Sequence, residues 1–329
     1  MSARRVLITG VSGPLGARLA ARLAADPGVE HVVGIDTRRP PAPLADRITF
    51  VEADLRRGDL AAILRVAAPH VVIHHDITQF PEPGRSRGHL HDLNVIGTLQ
   101  LLAACGEVTG LRQIVVRSSA AIYGSAPDAP AFFTEDLARS ATLRTRFQRD
   151  VAELERLVDA FARRHPAIVC TALRLQPVIG TALDTPIMNL FRAPVVPTFL
   201  GFDPRLQLLL DEDALGALVA AVRVPVRGPV NVAADGTVSL ARMLRRLRKR
   251  ALPIASPVYG PAVRALARAG VVPAVDDDVV SYLRFGRGVD TTRMRAELRF
   301  VPACTTVEAI DAVAERLRAE RDGHAEAAA

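Results

Sequence analysis

Three glycines, Gly10, Gly13 and Gly16, stand three residues apart between the apolar run Val6, Leu7, Ile8 and a stretch of helical pattern. So spaced, they let the backbone turn sharply, approach a pyrophosphate closely and pack the following helix on the preceding strand. The helix, Leu15 to Ala25, then aims free N–H groups and its dipole at the phosphate, and Pro14 fits a first turn where a missing donor costs nothing. A second strand, His31 to Ile35, ends in Asp36, about twenty residues on. A carboxylate there accepts both ribose hydroxyls of NAD and repels the extra phosphate of NADP. Arg38 and Arg39 follow directly and suit that phosphate, so NADP stays open beside NAD. The plainer reading is a glycine turn that only closes a strand–helix unit.

Further along, Asp54 stands just past a third short strand, Ile48 to Val51, where a carboxylate can meet the adenine amino group or simply face solvent. His74, His75 and Asp76 close a fourth strand, with His89 and His91 nearby, but no helical pairing or paired-cysteine spacing makes them a metal site. Cys105, Cys170 and Cys304 are far apart and read as reduced core thiols.

These groups need a scaffold, and the pattern supplies one: a parallel sheet wound with helices on both faces, with a smaller α/β unit toward the C-terminus. A helix from Leu60 to Ala67 and a fourth strand from Val71 to His74 lead to Phe80–Gly88, a loop placed to lie over a cofactor. A helix from Leu90 to Cys105 carries Asn94, and a fifth strand from Gln113 to Arg117 runs into SSAAIYG, Ser118 to Gly124. A helix from Asp150 to Arg164 precedes a sixth strand, Ile168 to Leu175, and Val230 to Ala233 returns as a seventh. The expected division is 1–176 with 205–234 for the nucleotide-binding part, and 177–204 with 235–329 for the substrate part.

With 329 residues, 49% hydrophobic and 23% charged, the chain can bury a sizeable core. No apolar run is long enough to span a bilayer, and the first strand stands where a signal peptide would, which leads us to expect a cytoplasmic protein. The formal charge of +7 is almost all arginine, because Lys249 is the only lysine, and no basic-aromatic module suggests nucleic acid. Between Arg242 and Arg250 the arginines flank an apolar stripe of Leu240, Met243, Leu244 and Leu247. Such a helix either rests on an anionic membrane surface or packs on its own domain.

The motifs TGVSGPLG, Asp36, ADL, VVIHH, NVIGT, SSAAIYG and VDTTRMRAELRF fall in one order over nearly the whole chain. In this the sequence resembles the extended short-chain dehydrogenases/reductases, close to the UDP-glucose 4-epimerase and sugar-nucleotide dehydratase branch. The resemblance implies a Rossmann domain holding the cofactor through Gly10, Ser12, Gly13, Leu15, Gly16, Asp36, Asp54, Leu55, His74, Ser118 and Arg149, the last bonding the nicotinamide ribose. It implies a nucleotide-sugar ligand touched by Gln176 and Arg205, the latter otherwise a surface ion pair, and a homodimer. Ser119 takes the place of the catalytic serine, with Asn94 beside it.

The family also carries a tyrosine, a lysine four residues later and a glutamate four beyond that. Counting back from Glu153 puts Arg149 at the lysine position and Thr145 at the tyrosine position. No tyrosine in the chain has a lysine four residues after it under any local shift. A threonine hydroxyl is too weak an acid for the relay, and an arginine does not release its proton in turnover. Tyr123 is the one tyrosine near the expected cofactor. Two functions therefore stand: an atypical epimerase, dehydratase or reductase, or a sensor or scaffold that binds cofactor or sugar nucleotide without turnover.

Overall fold

The computed structural model describes residues 3–57, 59–79, 87–140 and 143–328. The expected covering loop Phe80–Gly88 lies, except for its last two residues, outside them. Six strands, β1 (Arg4–Thr9), β2 (Val29–Asp36), β3 (Thr49–Glu52), β4 (Val71–His74), β5 (Gln113–Ser119) and β6 (Val169–Leu175), join the strand Gly228–Val232 in one sheet. Its order is β3, β2, β1, β4, β5, β6 and then Gly228–Val232. Every pairing in it is parallel.

Alternation along β1 shows why a continuous apolar run is needed. Val6 and Ile8 point to a cluster with Leu19, Leu23, Leu215 and Leu218, from α1 (Pro14–Ala24) and the helix Asp211–Arg223. Leu7 points the other way, to Leu60, Leu64, Leu101 and Leu154 of the opposite helical layer. A strand buried on both faces favours apolar residues in succession, and all three side chains are at most 1% exposed.

The order reverses between β1 and β4, and the crevice beyond their carboxyl ends is where such sheets bind ligands. Thr9 and His74 are register partners at that point, and the glycine turn follows Thr9.

A second core gathers Met243, Leu244, Leu247, Tyr282, Leu283, Ile310 and Val313. The apolar stripe of the basic stretch packs here. The helix there spans only Leu240–Arg246, Arg248 takes a left-handed φ of 54°, and a strand begins at Arg250. All four residues of the apolar stripe are buried in this core, so none is left to enter a membrane. Among the described residues no helix is long and apolar enough to cross one.

Local departures from the expected elements have physical causes. The helix expected from Leu90 is widened over Asp92–Ile96 into a π turn that buries Asn94. Residues 205–213 form two short strands, Arg205–Leu206 and Leu209–Leu210, and the start of a helix that opens at Asp211. Asp213 sits in its first turn and accepts the backbone N–H groups of Ala303 and Cys304. Met294 and Leu298, near the C-terminus, pack in the core of the seven-stranded sheet.

Candidate cofactor and substrate site

The three glycines have three different reasons. Gly10 has φ 75°, and a Cβ there would stand 3.0 Å from the Cα of Asp76. A Cβ on Gly16 would fall onto the carbonyl oxygen of Gly10, so the helix approaches the turn as closely as backbone allows. A Cβ on Gly13 would meet nothing within 4 Å, and Gly13 is the residue that caps the first turn of α1. The open side of the turn thus lies at the helix N-terminus, where free N–H groups favour a phosphate. Leu15, the second residue of α1, is buried beneath it.

Asp36 is drawn to this turn: its Oδ2 accepts the Ser12 N–H at 2.9 Å and its Oδ1 the Arg38 N–H at 3.3 Å. The Ser12 hydroxyl donates to the carbonyl of Arg38. A carboxylate at the end of β2 is therefore held beside the place where a ribose following the pyrophosphate would lie.

Behind the turn, His74 is buried at 1% exposure, with Nδ1 2.9 Å from Thr9 Oγ1 and Nε2 2.8 Å from Thr98 Oγ1. Thr98 donates onward to the carbonyl of Asn94 at 2.5 Å, and Thr9 Oγ1 accepts the N–H groups of His75 and Asp76. These roles place the proton on Nε2. Burial, then the nearby Arg117, pushes the imidazole down to about 3, so it stays neutral. Both ring nitrogens are engaged, so His74 braces β1 and β4 and, through Thr98, the π turn, with no ring nitrogen left to bond a cofactor.

Asn94 likewise faces the chain: Oδ1 accepts Thr78 N–H at 2.9 Å and Nδ2 donates to Thr78 O at 2.8 Å. It fixes the segment after β4. Asp54 is held by the Arg56 guanidinium through both carboxylate oxygens, at 2.8 and 2.5 Å, which keeps its carboxyl below the usual range. Leu55 is buried against Gly97. Among the described residues no group of three or more metal-ligating side chains comes together.

The helix Arg146–Arg164 begins four residues before the expected start, because Thr145 and Gln148 make a capping box. Thr145 is the cap: its oxygen accepts Gln148 N–H at 3.2 Å. Arg149 is exposed and, among the described residues, donates to the Arg144 carbonyl at 3.5 Å. Glu153 is exposed as well. The face toward β5 and the Ala120–Tyr123 turn consists of Phe147, Val151 and Glu155, spaced by four. Val151 is 1% exposed and packs with Ala120, Ile122 and Tyr123.

Glu155 accepts from Ser118 Oγ at 2.5 Å and pairs with Arg174 Nη2 at 2.6 Å. Arg174 in turn donates to Tyr123 OH at 2.8 Å and to the Glu135 carbonyl at 2.7 Å, and the phenol donates to Asn231 Oδ1 at 2.6 Å. Tyr123 therefore points toward β6 and the strand Gly228–Val232, away from β4 and the glycine turn. Burial pushes its pKa up to about 12, against the lowering influence of Arg174. Both its hydrogen bonds run to residues of that side, Arg174 and Asn231. Ser119, half-buried, accepts Ala121 N–H at 3.1 Å and caps that short turn. Lys249 donates to the carbonyls of Arg192 and Ala193.

Beyond β6, Gln176 is buried and donates to the Arg287 carbonyl at 3.1 Å. Arg205 is exposed on its short strand. Two carboxylates from the start of the helix Asp277–Phe285 face the nucleotide-binding sheet: Gln79 Nε2 bonds Asp276 at 3.1 Å and Gln148 Nε2 bonds Asp278 at 2.7 Å. The sequence reading missed both, and Arg287 with them.

Residues 6–198 match the profile described as the NAD dependent epimerase/dehydratase family. The chain belongs to this family. An uncharacterised protein of Mycobacterium tuberculosis is 38% identical over 310 residues, covering 93% of this chain and 82% of that one. A 3-diazoavenalumate denitrifying reductase from a Streptomyces species is 28% identical over 311 residues, covering 91% and 96%. The crystal structure of UDP-glucose 4-epimerase with UDP-glucose from Thermotoga maritima superposes with a TM-score of 0.72 at 15% identity, covering 96% and 99%.

On the Arg146–Arg164 helix the glutamate that reaches the sheet is Glu155, with Val151 four residues and Phe147 eight residues before it. These lie two residues later than Thr145, Arg149 and Glu153, of which the first is a helix cap and the other two are exposed. Phe147 and Val151, which pack toward the Ala120–Tyr123 turn, are both apolar.

Proposed function

We propose that this member of the family binds NAD(H) and a nucleotide sugar but does not carry out the family's proton-coupled hydride shuttle. The observation that carries this is the pair Phe147 and Val151, facing the Ser119 turn, beside an intact glycine turn. The turn and the N-terminus of α1 would hold the pyrophosphate, with Asp36 accepting the ribose hydroxyls and disfavouring NADP. NAD, when bound, supplies the hydride acceptor. Ser119 offers a hydroxyl to a reacting oxygen, yet neither Phe147 nor Val151 can hold or release a proton. General acid–base help of this kind contributes about 10²–10⁴ in rate. The division into a nucleotide-binding part and a smaller substrate part, with the ligand between them, belongs to the same reading.

A second reading has one observation in its favour. The Streptomyces relative that matches along almost its whole length is named a reductase. Delivery of a hydride with a proton taken from water needs no phenol, so an NADH-dependent reductase fits the same apolar face.

Titration with NADH, followed by the cofactor's own fluorescence, tests the first half cleanly because the protein has no tryptophan. Incubation with NAD⁺ and UDP-glucose, UDP-galactose or dTDP-glucose then tests turnover. Binding without product, and appearance of epimer in the Phe147→Tyr, Val151→Lys double variant, is the expected result. No affinity for NADH sinks the proposal, and so does turnover by the unaltered protein that disappears in Ser119→Ala.

A further inference from the structure

The excess positive charge of the chain is confined to one stretch. Between Gly236 and Val275 there are eight cationic side chains and no Asp or Glu, one more charge than the whole chain's +7, so the remainder is close to neutral. Two of the eight are used inside the fold: Arg246 pairs with Asp311, and Lys249 donates to the carbonyls of Arg192 and Ala193. The other six, Arg242, Arg245, Arg248, Arg250, Arg264 and Arg268, are exposed, and none meets a carboxylate among the described residues.

The same stretch carries an uncharged edge. Its strand Arg250–Ile254 pairs in parallel with Val195–Phe199 in a sheet of two strands. The Leu200 N–H bonds the Ile254 carbonyl at 2.9 Å, which turns the neighbouring Pro253 to the free edge, where its missing donor blunts addition of a further strand. Ala251, Pro253, Ala255, Pro257 and Val258 are exposed along this edge. At its far end the rings of Phe199 and Tyr259 stack with centroids 3.7 Å apart, which holds their neighbours Leu200 and Val258 at one place, 60% and 54% exposed. Arg264 folds back over the first turn of the helix Tyr259–Arg268, its Nη1 3.4 Å from where a Cβ on Gly260 would stand. Arg250 stands at the other end of the strand, about 13 Å away at the rise of an extended chain.

An apolar edge bordered by cations that have no carboxylate partner matches a surface that is negative outside and apolar beneath. We propose that this edge docks on an anionic lipid surface, with Leu200 and Val258 entering the headgroup layer and the six arginines resting on lipid phosphates. Guanidinium groups suit phosphate oxygens, and their carbon stems lie along apolar material while the charge stays outside. A nucleic acid would use the charge and leave the aliphatic Leu200 and Val258 unmatched, since bases stack on planar groups. The buried Leu240, Met243, Leu244 and Leu247 take no part; they anchor the helix whose outer side carries Arg242 and Arg245.

The test is cosedimentation of the full chain with vesicles of phosphatidylcholine, alone or mixed about two to one with phosphatidylglycerol. The expected result is binding to the mixed vesicles that falls as salt is raised and is about tenfold weaker, or more, on the neutral ones. Leu200→Ser with Val258→Ser is expected to weaken it severalfold and leave its salt dependence unchanged. Arg245→Gln, Arg250→Gln, Arg264→Gln and Arg268→Gln together are expected to weaken it by about a hundredfold. The same charge removed at the exposed Arg65, Arg112, Arg146 and Arg156, again by glutamine, is expected to change it by less than about threefold. All these side chains are exposed, so the variants are compared at matching melting temperatures. Equal losses in the two quadruple variants would show that net charge alone attracts the vesicles, and would overturn the docking edge. Equal binding to neutral vesicles, or no binding to either kind, would overturn it too. Tighter binding to duplex DNA that survives Leu200→Ser with Val258→Ser would overturn it in favour of a nucleic-acid partner.

Discussion

Gly16 packs directly on the backbone of Gly10, so that any side chain at 16 would occupy the Gly10 carbonyl oxygen, whereas Gly13 between them faces open space. The two outer glycines serve the packing of α1 on β1, and the middle one serves whatever approaches the helix N-terminus.

This separates two variants that a motif treats alike. Gly16→Ala is expected to lower thermal stability markedly, because backbone, not a flexible side chain, would have to move. Gly13→Ala, at φ −73°, is expected to leave the melting temperature nearly unchanged and to weaken NADH at least tenfold, since its methyl stands where the phosphate must come. Melting curves and NADH titrations on both variants check the pair; equal losses of stability would refute the division of labour.

The position of Arg149 gives a second prediction. Under the proposed reading the exposed Arg149 side chain, which donates to the Arg144 carbonyl, takes no part in cofactor binding. Arg149→Ala is expected to change NADH affinity by less than about twofold, within the effect of an exposed charge. Thr145→Ala removes a cap and is expected to cost about 1 kcal/mol, read by urea denaturation, with the same NADH affinity in the folded protein. A large loss of affinity in Arg149→Ala would restore the frame counted from Glu153.

That frame shows where the sequence stopped being legible. The Val6–Ile8 run, the glycine spacing and Asp36 each report a backbone constraint that is local in sequence, so the sheet and its turn could be read directly. Glu153 and Glu155 stand two residues apart on one helix, and only burial against Ser118 and Arg174 tells which faces the sheet. The Thr145–Gln148 capping box is a local signal too, yet the expected helix start at Asp150 passed over it. Arg287 was not, because its surroundings come from β6, the Gly124 turn and the helix Asp277–Phe285, which only the folded chain brings together. The apolar stripe at Leu240–Leu247 had a clear period, but its direction depended on Ile310 and Val313 far along the chain.

Asp276 yields a prediction in pH. Burial, helped by the charge of Asp278, raises its carboxyl from the ordinary 3.8 to about 6, against the lowering effect of the Val279 N–H. A raised folded pKa means that its contribution to stability is fully present below about 4 and is lost as pH rises through 6. Asp276→Asn keeps a capping acceptor for Val279 but cannot ionise. The variant is expected to match the unaltered protein near pH 4 and to exceed it by about 1–3 kcal/mol at pH 7. Denaturant titrations at the two pH values check this, and a difference that does not depend on pH would show that Asp276 ionises normally.

The Glu155–Arg174 pair makes the last prediction. Their side chains are 11% and 6% exposed, and Arg174 also supplies Tyr123 and the Glu135 carbonyl. Removing the cation alone leaves a nearly buried carboxylate whose remaining side-chain partner is the Ser118 hydroxyl. Arg174→Met is therefore expected to cost about 3–5 kcal/mol in denaturant titration. Glu155→Gln with Arg174→Met removes the charge together with its partner, and the double variant is expected to be more stable than Arg174→Met by itself. It remains below the unaltered protein, because the Tyr123 hydroxyl and the Glu135 carbonyl still lose a donor. If the double variant were no more stable than the single one, the ion pair would matter less than the packing of the Arg174 side chain on the Tyr123 ring, which its guanidinium covers at 5.2 Å.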